Sequence, residues 1–220
     1  MSRYRALLLD AFGTLIVVDQ PARRLQRAVA ERLAAEVPLE RAAEAMRCEI
    51  RHYQANCRSA VDEESLATLR GECAAIVMSE LGLYADRATA LAVLADAVVI
   101  RAYPDAPGTL AWARSHGLLT AVVSNGDWSL PEVLSQAGLL VDAVVDSATA
   151  GAAKPDPAIF HAALARLGVS AQDALHVGDD PRSDVNGARA AGIDALLLDR
   201  SGGGGAGTIA TLDELRGVVA

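Results

Sequence analysis

Eight polar residues stand where chemistry could be done. Asp10 ends the apolar run ALLL, Ser124 and Asn125 end LLTAVV, Asp179 and Asp180 follow ALHVG, and Thr14, Lys154 and Asp184 lie on the turns that come next. Several carboxylates meeting a hydroxyl and one ammonium are costly in a protein interior, because like charges at close range raise each other's pKa. A hard divalent cation such as Mg2+, held by a few oxygens and keeping waters for a phosphate, relieves that cost. Lys154 stands out by composition: of 20 basic residues it is the only lysine, the rest being arginine. A compact ammonium fits a crowded site that a planar guanidinium does not.

These residues need a scaffold that brings them to one edge, and the sequence supplies it. Five short apolar runs, at 6–10, 118–125, 142–147, 174–180 and 195–199, end at or beside a polar residue. Runs apolar at nearly every position suit parallel strands covered on both faces. Helix-sized segments, SLPEVLSQAG, PDPAIFHAALARLG and DVNGARAAG, separate the later runs. Strand and helix alternate, which predicts an α/β fold with a doubly wound parallel sheet of Rossmann-like type. In such sheets ligands bind outside the carboxyl ends of the strands, where the eight residues lie.

The stretch between Asp10 and Ser124 is too long for one crossover. Apolar residues at three- and four-residue spacing, broken by Val37-Pro38, Asp62, Gly82 and Asp86, predict a four-helix insertion over residues 16–98. The core domain is then 1–15 and 99–220. YPDAP, with two prolines, is expected to be the return linker, and SGGGGAG at 201–207 a flexible loop with no dinucleotide spacing.

Composition excludes several classes of function. A net charge of -8 without a basic tract argues against a nucleic-acid partner. No run of about 18 uncharged apolar residues is present, so no membrane partner is expected. No secretory leader is expected ahead of the first strand, and the expected location is cytoplasmic. Cys48, Cys57 and Cys73 lack zinc-site spacing and are expected to be buried reduced thiols. His176 is expected to be a satisfied core residue, and Asp180 either supports the neighbouring acids or is solvated. Monomer and homodimer remain open.

In order, DAFGT (10–14), SN (124–125), the lysine of KPDP (154–157) and GDDPRSD (178–184) resemble the four motifs of the haloacid dehalogenase (HAD) superfamily. The resemblance covers the core and is to members with a helical C1-type cap inserted after the first motif. Most are Mg2+-dependent phosphatases of small phosphorylated metabolites. The resemblance implies that Asp10 is the nucleophile, forming an aspartyl-phosphate. Thr14, Ser124, Asn125 and Lys154 would bind the phosphoryl group, with Ser124 and Lys154 also catalytic. Asp10, the backbone carbonyl of Phe12, Asp179 and Asp184 would serve the metal.

One position departs from the phosphatase pattern. Phosphatases of this superfamily carry a second aspartate, the general acid and base, where this chain has Phe12. The dehalogenase branch, which forms an aspartyl ester without metal, has an aromatic residue there but replaces the acidic fourth motif with serine and asparagine. GDDPRSD keeps its carboxylates, and buried carboxylates are costly without a cation. The expected activity is therefore Mg2+-dependent phosphate ester hydrolysis. A 2-haloacid dehalogenase and a non-catalytic phospho-ligand binding or interaction protein are the alternatives.

Overall fold

The computed structural model describes residues 3–219. The chain divides into two compact units, one formed by the chain up to Val17 together with everything from Ala102 onward, the other by Val18–Arg101.

The first unit begins with β1 (Ala6–Leu9), and the chain then forms β2 (Ile16–Val18). The second unit is helical: α1 (Pro21–Leu33), α2 (Leu39–Asn56), α3 (Glu63–Leu81) and α4 (Arg87–Ala97). Local chemistry sets these boundaries. Asp62 caps α3 by accepting the Ser65 N–H at 2.9 Å, and Asp86 caps α4 by accepting the Thr89 N–H at 2.9 Å. Gly82 ends α3 at φ +63, a left-handed geometry that glycine adopts at little cost. The apolar faces meet in a core that includes Leu25, Val29, Met46, Leu69, Val77 and Val93. Each fully buried side chain of this kind contributes about 1.5–3 kcal/mol.

The chain returns through β3 (Ile100–Ala102), which pairs with β2. It continues through α5 (Ala106–Ser115), β4 (Leu119–Ser124), α6 (Leu130–Gln136), β5 (Ala143–Asp146), α7 (Ser147–Ala150) and α8 (Pro157–Leu167). The remaining elements are β6 (Ala174–Gly178), α9 (Gly187–Ala190), β7 (Asp194–Leu198), β8 (Thr208–Ile209) and α10 (Leu215–Val219). Six strands form one parallel sheet in the order β5-β4-β1-β6-β7-β8. It is a doubly wound α/β sheet. Leu8, Val123, Ile159, Phe160, Ala163 and Val185 belong to one core cluster of this unit, and α8 packs on β4 and β5.

The sheet order sets where chemistry can occur. From central β1 the chain winds outward through β4 and β5, then crosses back to β6 on the other flank. That reversal opens a crevice at the carboxyl ends of β1 and its neighbours.

Four sequence expectations are corrected. A sixth strand, β8, follows the glycine-rich loop. The supposed return linker ends early, since Pro107 occupies the first turn of α5, where its missing N–H costs nothing. The segment beginning at Asp184 is not regular helix throughout: Pro181–Asn186 forms a π-type turn, and α9 starts only at Gly187. Cys57 and Cys73 are buried free thiols, but Cys48 is only partly buried. Among the described residues, no helix is long and apolar enough to cross a membrane.

Candidate active site

Parallel pairing brings the first acid to its place. Leu9 lies in register with Val122 on one side and Val177 on the other, and Asp10 continues the ladder by donating its N–H to the Val177 carbonyl at 2.9 Å. Its carboxylate therefore leaves the sheet at the middle of the crevice. Ser124 ends neighbouring β4, Asp179 directly follows β6, and Asp184 sits in the π-type turn.

The sole lysine closes the arrangement. Lys154 Nζ donates to Asp10 Oδ1 at 2.5 Å and to Asp184 Oδ1 at 2.6 Å, with the lysine side chain only 3% exposed. Burial by itself would depress its pKa, but the two carboxylates outweigh that and raise it, so the ammonium persists. For Asp10 the balance goes the other way: burial, reinforced by the charge of Asp184, lifts its pKa despite Lys154. Burial and the charge of Asp184 likewise lift Asp179. Asp184 would also be raised by burial, but the His176 hydrogen bond and the Lys154 charge hold it well below the carboxylate range.

Asp184 is the most firmly held of the three acids. Besides Lys154, its Oδ1 lies 3.1 Å from His176 Nε2, and its Oδ2 accepts the Asp180 N–H at 3.0 Å. His176 is fully buried, as expected of a core residue, yet only one ring nitrogen is satisfied. Nδ1 has no hydrogen-bond partner among the described residues, and the ring meets Phe160 edge-on at 5.1 Å. Its place in an apolar strand pattern concealed its contact with Asp184.

Asn125 makes a contribution that its motif does not announce. Both ends of its side-chain amide bond the Lys154 backbone, so that amide ties the end of β4 to the lysine. Asp180 accepts the N–H groups of Arg182 and Ser183 and so fixes the turn that carries Asp184. Thr14 is buried, and its Oγ1 has no hydrogen-bond partner among the described residues. In the helical unit, Arg24 pairs with Asp19 at 2.6 Å and Arg51 with Glu44 at 3.3 Å.

The donor set suits a hard cation. Asp10, Asp179 and Asp184 each offer an oxygen, and the three oxygens lie within 4.8 Å of one another. The backbone is shaped around them. A Cβ on Gly13, which has φ +83, would stand 2.1 Å from Asp179 Oδ2, and one on Gly178 would stand 2.2 Å from Asp184 Cγ. Only glycine at both positions lets these carboxylates come in so closely. All-oxygen donors of this kind fit Mg2+.

The family profile of the haloacid dehalogenase-like hydrolases matches residues 4–192. The chain belongs to that family. Among its HAD relatives is a phosphoserine phosphatase of Thermus thermophilus, 45% identical over 101 residues, which are 44% of this chain and 41% of that protein. The chain spans about two-fifths to just over half the length of the curated HAD relatives it matches first. Solved HAD structures share the fold across nearly the whole chain. The magnesium-bound hydrolase YfnB of Bacillus subtilis aligns with a TM-score of 0.75 at 19% identity, covering 99% of both chains. A 2-haloacid dehalogenase of Pseudomonas syringae aligns with a TM-score of 0.65 at 23% identity, covering 98% of this chain and 97% of that one.

Proposed function

We propose that this HAD protein is a Mg2+-dependent phosphohydrolase acting on a small phosphorylated metabolite through an aspartyl-phosphate at Asp10. The observation that carries the reading is the single buried ammonium of Lys154 bonded to both Asp10 and Asp184, with Asp179 within common ligand reach. Three acids around one ammonium leave an excess of negative charge that a divalent cation offsets. The phosphatase named among the relatives supports the same reading. In this reading the core is 1–15 with 99–220, and 16–98 is the inserted cap.

Asp10, the Phe12 carbonyl, Asp179 and Asp184 would hold the metal. Its contribution when bound is to offset the repulsion between an anionic nucleophile and an anionic substrate. The Asp10 carboxylate attacks phosphorus, and the bond from phosphorus to the leaving oxygen breaks. Lys154 and the Ser124 hydroxyl meet the phosphoryl oxygens, and the lysine neutralises charge that develops beside Asp10. Water then attacks the phosphorus of the aspartyl-phosphate, releasing phosphate and restoring Asp10. Phe12 has no proton to give or take, a role worth about 10²–10⁴ in rate. The leaving group must therefore depart as an anion, which favours aryl and acyl phosphates over alkyl ones.

The test is phosphate release from p-nitrophenyl phosphate with Mg2+ or with EDTA, using Asp10→Asn as the blank. Release that needs metal and vanishes in the blank is expected, with alkyl phosphates turned over more slowly. No release above the blank overturns the reading, and equal rates on aryl and alkyl phosphates overturn the leaving-group preference.

Phe12 itself favours a second reading, a 2-haloacid dehalogenase in which Asp10 displaces halide without metal. Halide release from 2-haloacids in EDTA would establish it. Thermal stabilisation by phosphate in Mg2+, without turnover of either substrate, would instead leave a phospho-ligand binding protein.

A further inference from the structure

The loop that follows Asp10 closes largely on itself. Gly13 donates its N–H to the Ile16 carbonyl at 2.9 Å, while Leu15 and Ile16 donate to the Ala11 carbonyl at 2.8 and 2.9 Å. The carbonyls of Gly13 and Thr14 are not used by that set. Both are taken by Arg200, two residues beyond β7, whose Nε donates to Gly13 at 3.2 Å and whose Nη2 donates to Thr14 at 2.6 Å.

Arg200 is itself held. Its two Nη atoms pair with the two oxygens of Asp105 at 3.0 Å each, and the guanidinium lies over the Tyr103 ring, 3.8 Å from its centroid. Asp105 also accepts the Leu212 N–H at 2.9 Å. Burial alone would raise the Asp105 pKa, but the Arg200 and Leu212 bonds outweigh it and lower it. The pair is sheltered, with side chains 22% and 11% exposed, unlike the solvated ion pairs that contribute little. A planar fork that donates four hydrogen bonds while stacking on a ring is work that lysine cannot do. Arg200 also lies beyond residue 192, where the family profile ends.

We infer that Arg200 is a positioning residue: by holding the Gly13 and Thr14 carbonyls against Asp105 and Tyr103, it sets the loop that carries Asp10 and the Phe12 carbonyl. The consequence for metal and turnover rests on the phosphohydrolase reading above. The consequence for the loop does not.

The 220-residue chain is compared with Arg200→Met and Arg200→Lys by three measurements: amide hydrogen exchange at Gly13, Leu15 and Ile16, Mg2+ affinity by calorimetry, and kcat and KM on p-nitrophenyl phosphate. Both variants are expected to exchange faster at the loop amides. Mg2+ affinity should weaken by about 10–100-fold, as when a ligand's supporting shell is removed. A fall in kcat with KM nearly unchanged should accompany it, and lysine should not restore it. Native exchange and native Mg2+ affinity in Arg200→Met overturn the inference. Should that variant not fold, Asp105→Asn, which frees the guanidinium, is expected to show the same changes, and their absence overturns it equally. If the wild-type chain neither binds Mg2+ nor releases phosphate, the function reading falls, while the exchange comparison still decides the role of Arg200.

Discussion

The side-chain amide of Asn125 grips the Lys154 backbone from both sides, donating from Nδ2 to the carbonyl at 2.9 Å and accepting the N–H at Oδ1 at 2.7 Å. The end of β4 is thereby tied to the loop that delivers the ammonium. Asn125→Ala leaves the Lys154 N–H and carbonyl without these partners, at a cost of about 1–3 kcal/mol. A small displacement of Lys154 is expected to lower kcat by up to about 10²-fold. Thermal melting together with p-nitrophenyl phosphate kinetics checks both; native kcat in a destabilised variant would show that the tie serves folding alone.

Lys154 places one compact ammonium between two buried carboxylates, 2.5 Å from Asp10 Oδ1 and 2.6 Å from Asp184 Oδ1. Lys154→Met leaves Asp10 and Asp184 buried without their countercharge, and loss of one partner of a buried pair costs about 3–5 kcal/mol. Turnover should fall by about 10²–10³-fold, as for loss of a donor aimed at developing charge. Lys154→Arg restores the charge but not the compact head, so phosphate release should stay far below wild type. Recovery to near wild-type rate in the arginine variant would refute the argument from shape.

Two glycines carry a steric prediction. Gly178→Ala drives a methyl into Asp184, and Gly13→Ala adds the strain of φ +83 to a collision with Asp179. Each variant should lose at least about tenfold in Mg2+ affinity. Gly217→Ala in α10 is the control, because a Cβ there meets nothing within 4 Å. It should be neutral or stabilising by about 0.5–1 kcal/mol. Calorimetric titration with Mg2+ and thermal melting distinguish the three.

A pH prediction comes from the helical unit, where Glu49 is buried. Burial raises its pKa above the ordinary 4.5, against the opposing Cys73 hydrogen bond and His52 charge. Below about pH 4 both folded and unfolded chains hold the proton, and the group adds no penalty. As pH rises, the unfolded chain releases the proton first, so stability falls until the folded group ionises as well. Glu49→Gln should therefore melt at a higher temperature than wild type near neutral pH, with the difference vanishing in acid. In the same core, burial and Glu49 push the Cys73 thiol up to about 12, so native Cys73 should resist maleimide.

Much of the fold was legible because the physics is local. The runs ending at Asp10, Ser124 and Asp179 are apolar at successive positions, as a strand covered on both faces must be. The capping residues Asp62 and Asp86 announce helix starts in their own sequence. What escaped depended on distance or brevity. β8 has two residues, too few to show a period. Pro107 favours a loop and a helix start equally until its neighbours are placed. Arg200 is one arginine among many, and the carbonyls it holds lie 186 and 187 residues earlier in the chain. Asn125 and His176 had the right locations, but their partners follow from folding and not from spacing.

The seam of the chain has a consequence of another kind. Tyr103 donates its N–H to the Leu15 carbonyl at 2.9 Å, and farther along Asp19 donates to the Val99 carbonyl at 2.8 Å. The polypeptide thus departs and comes back at neighbouring points, so Val18–Arg101 is a parenthesis opened and closed within one hydrogen-bonded step. Insertions with adjacent ends can be lengthened, exchanged or rewritten without redrawing the host sheet. Heredity can therefore edit the helices and the parallel sheet on separate schedules, and a chimaera spliced at this seam would test how far they have diverged.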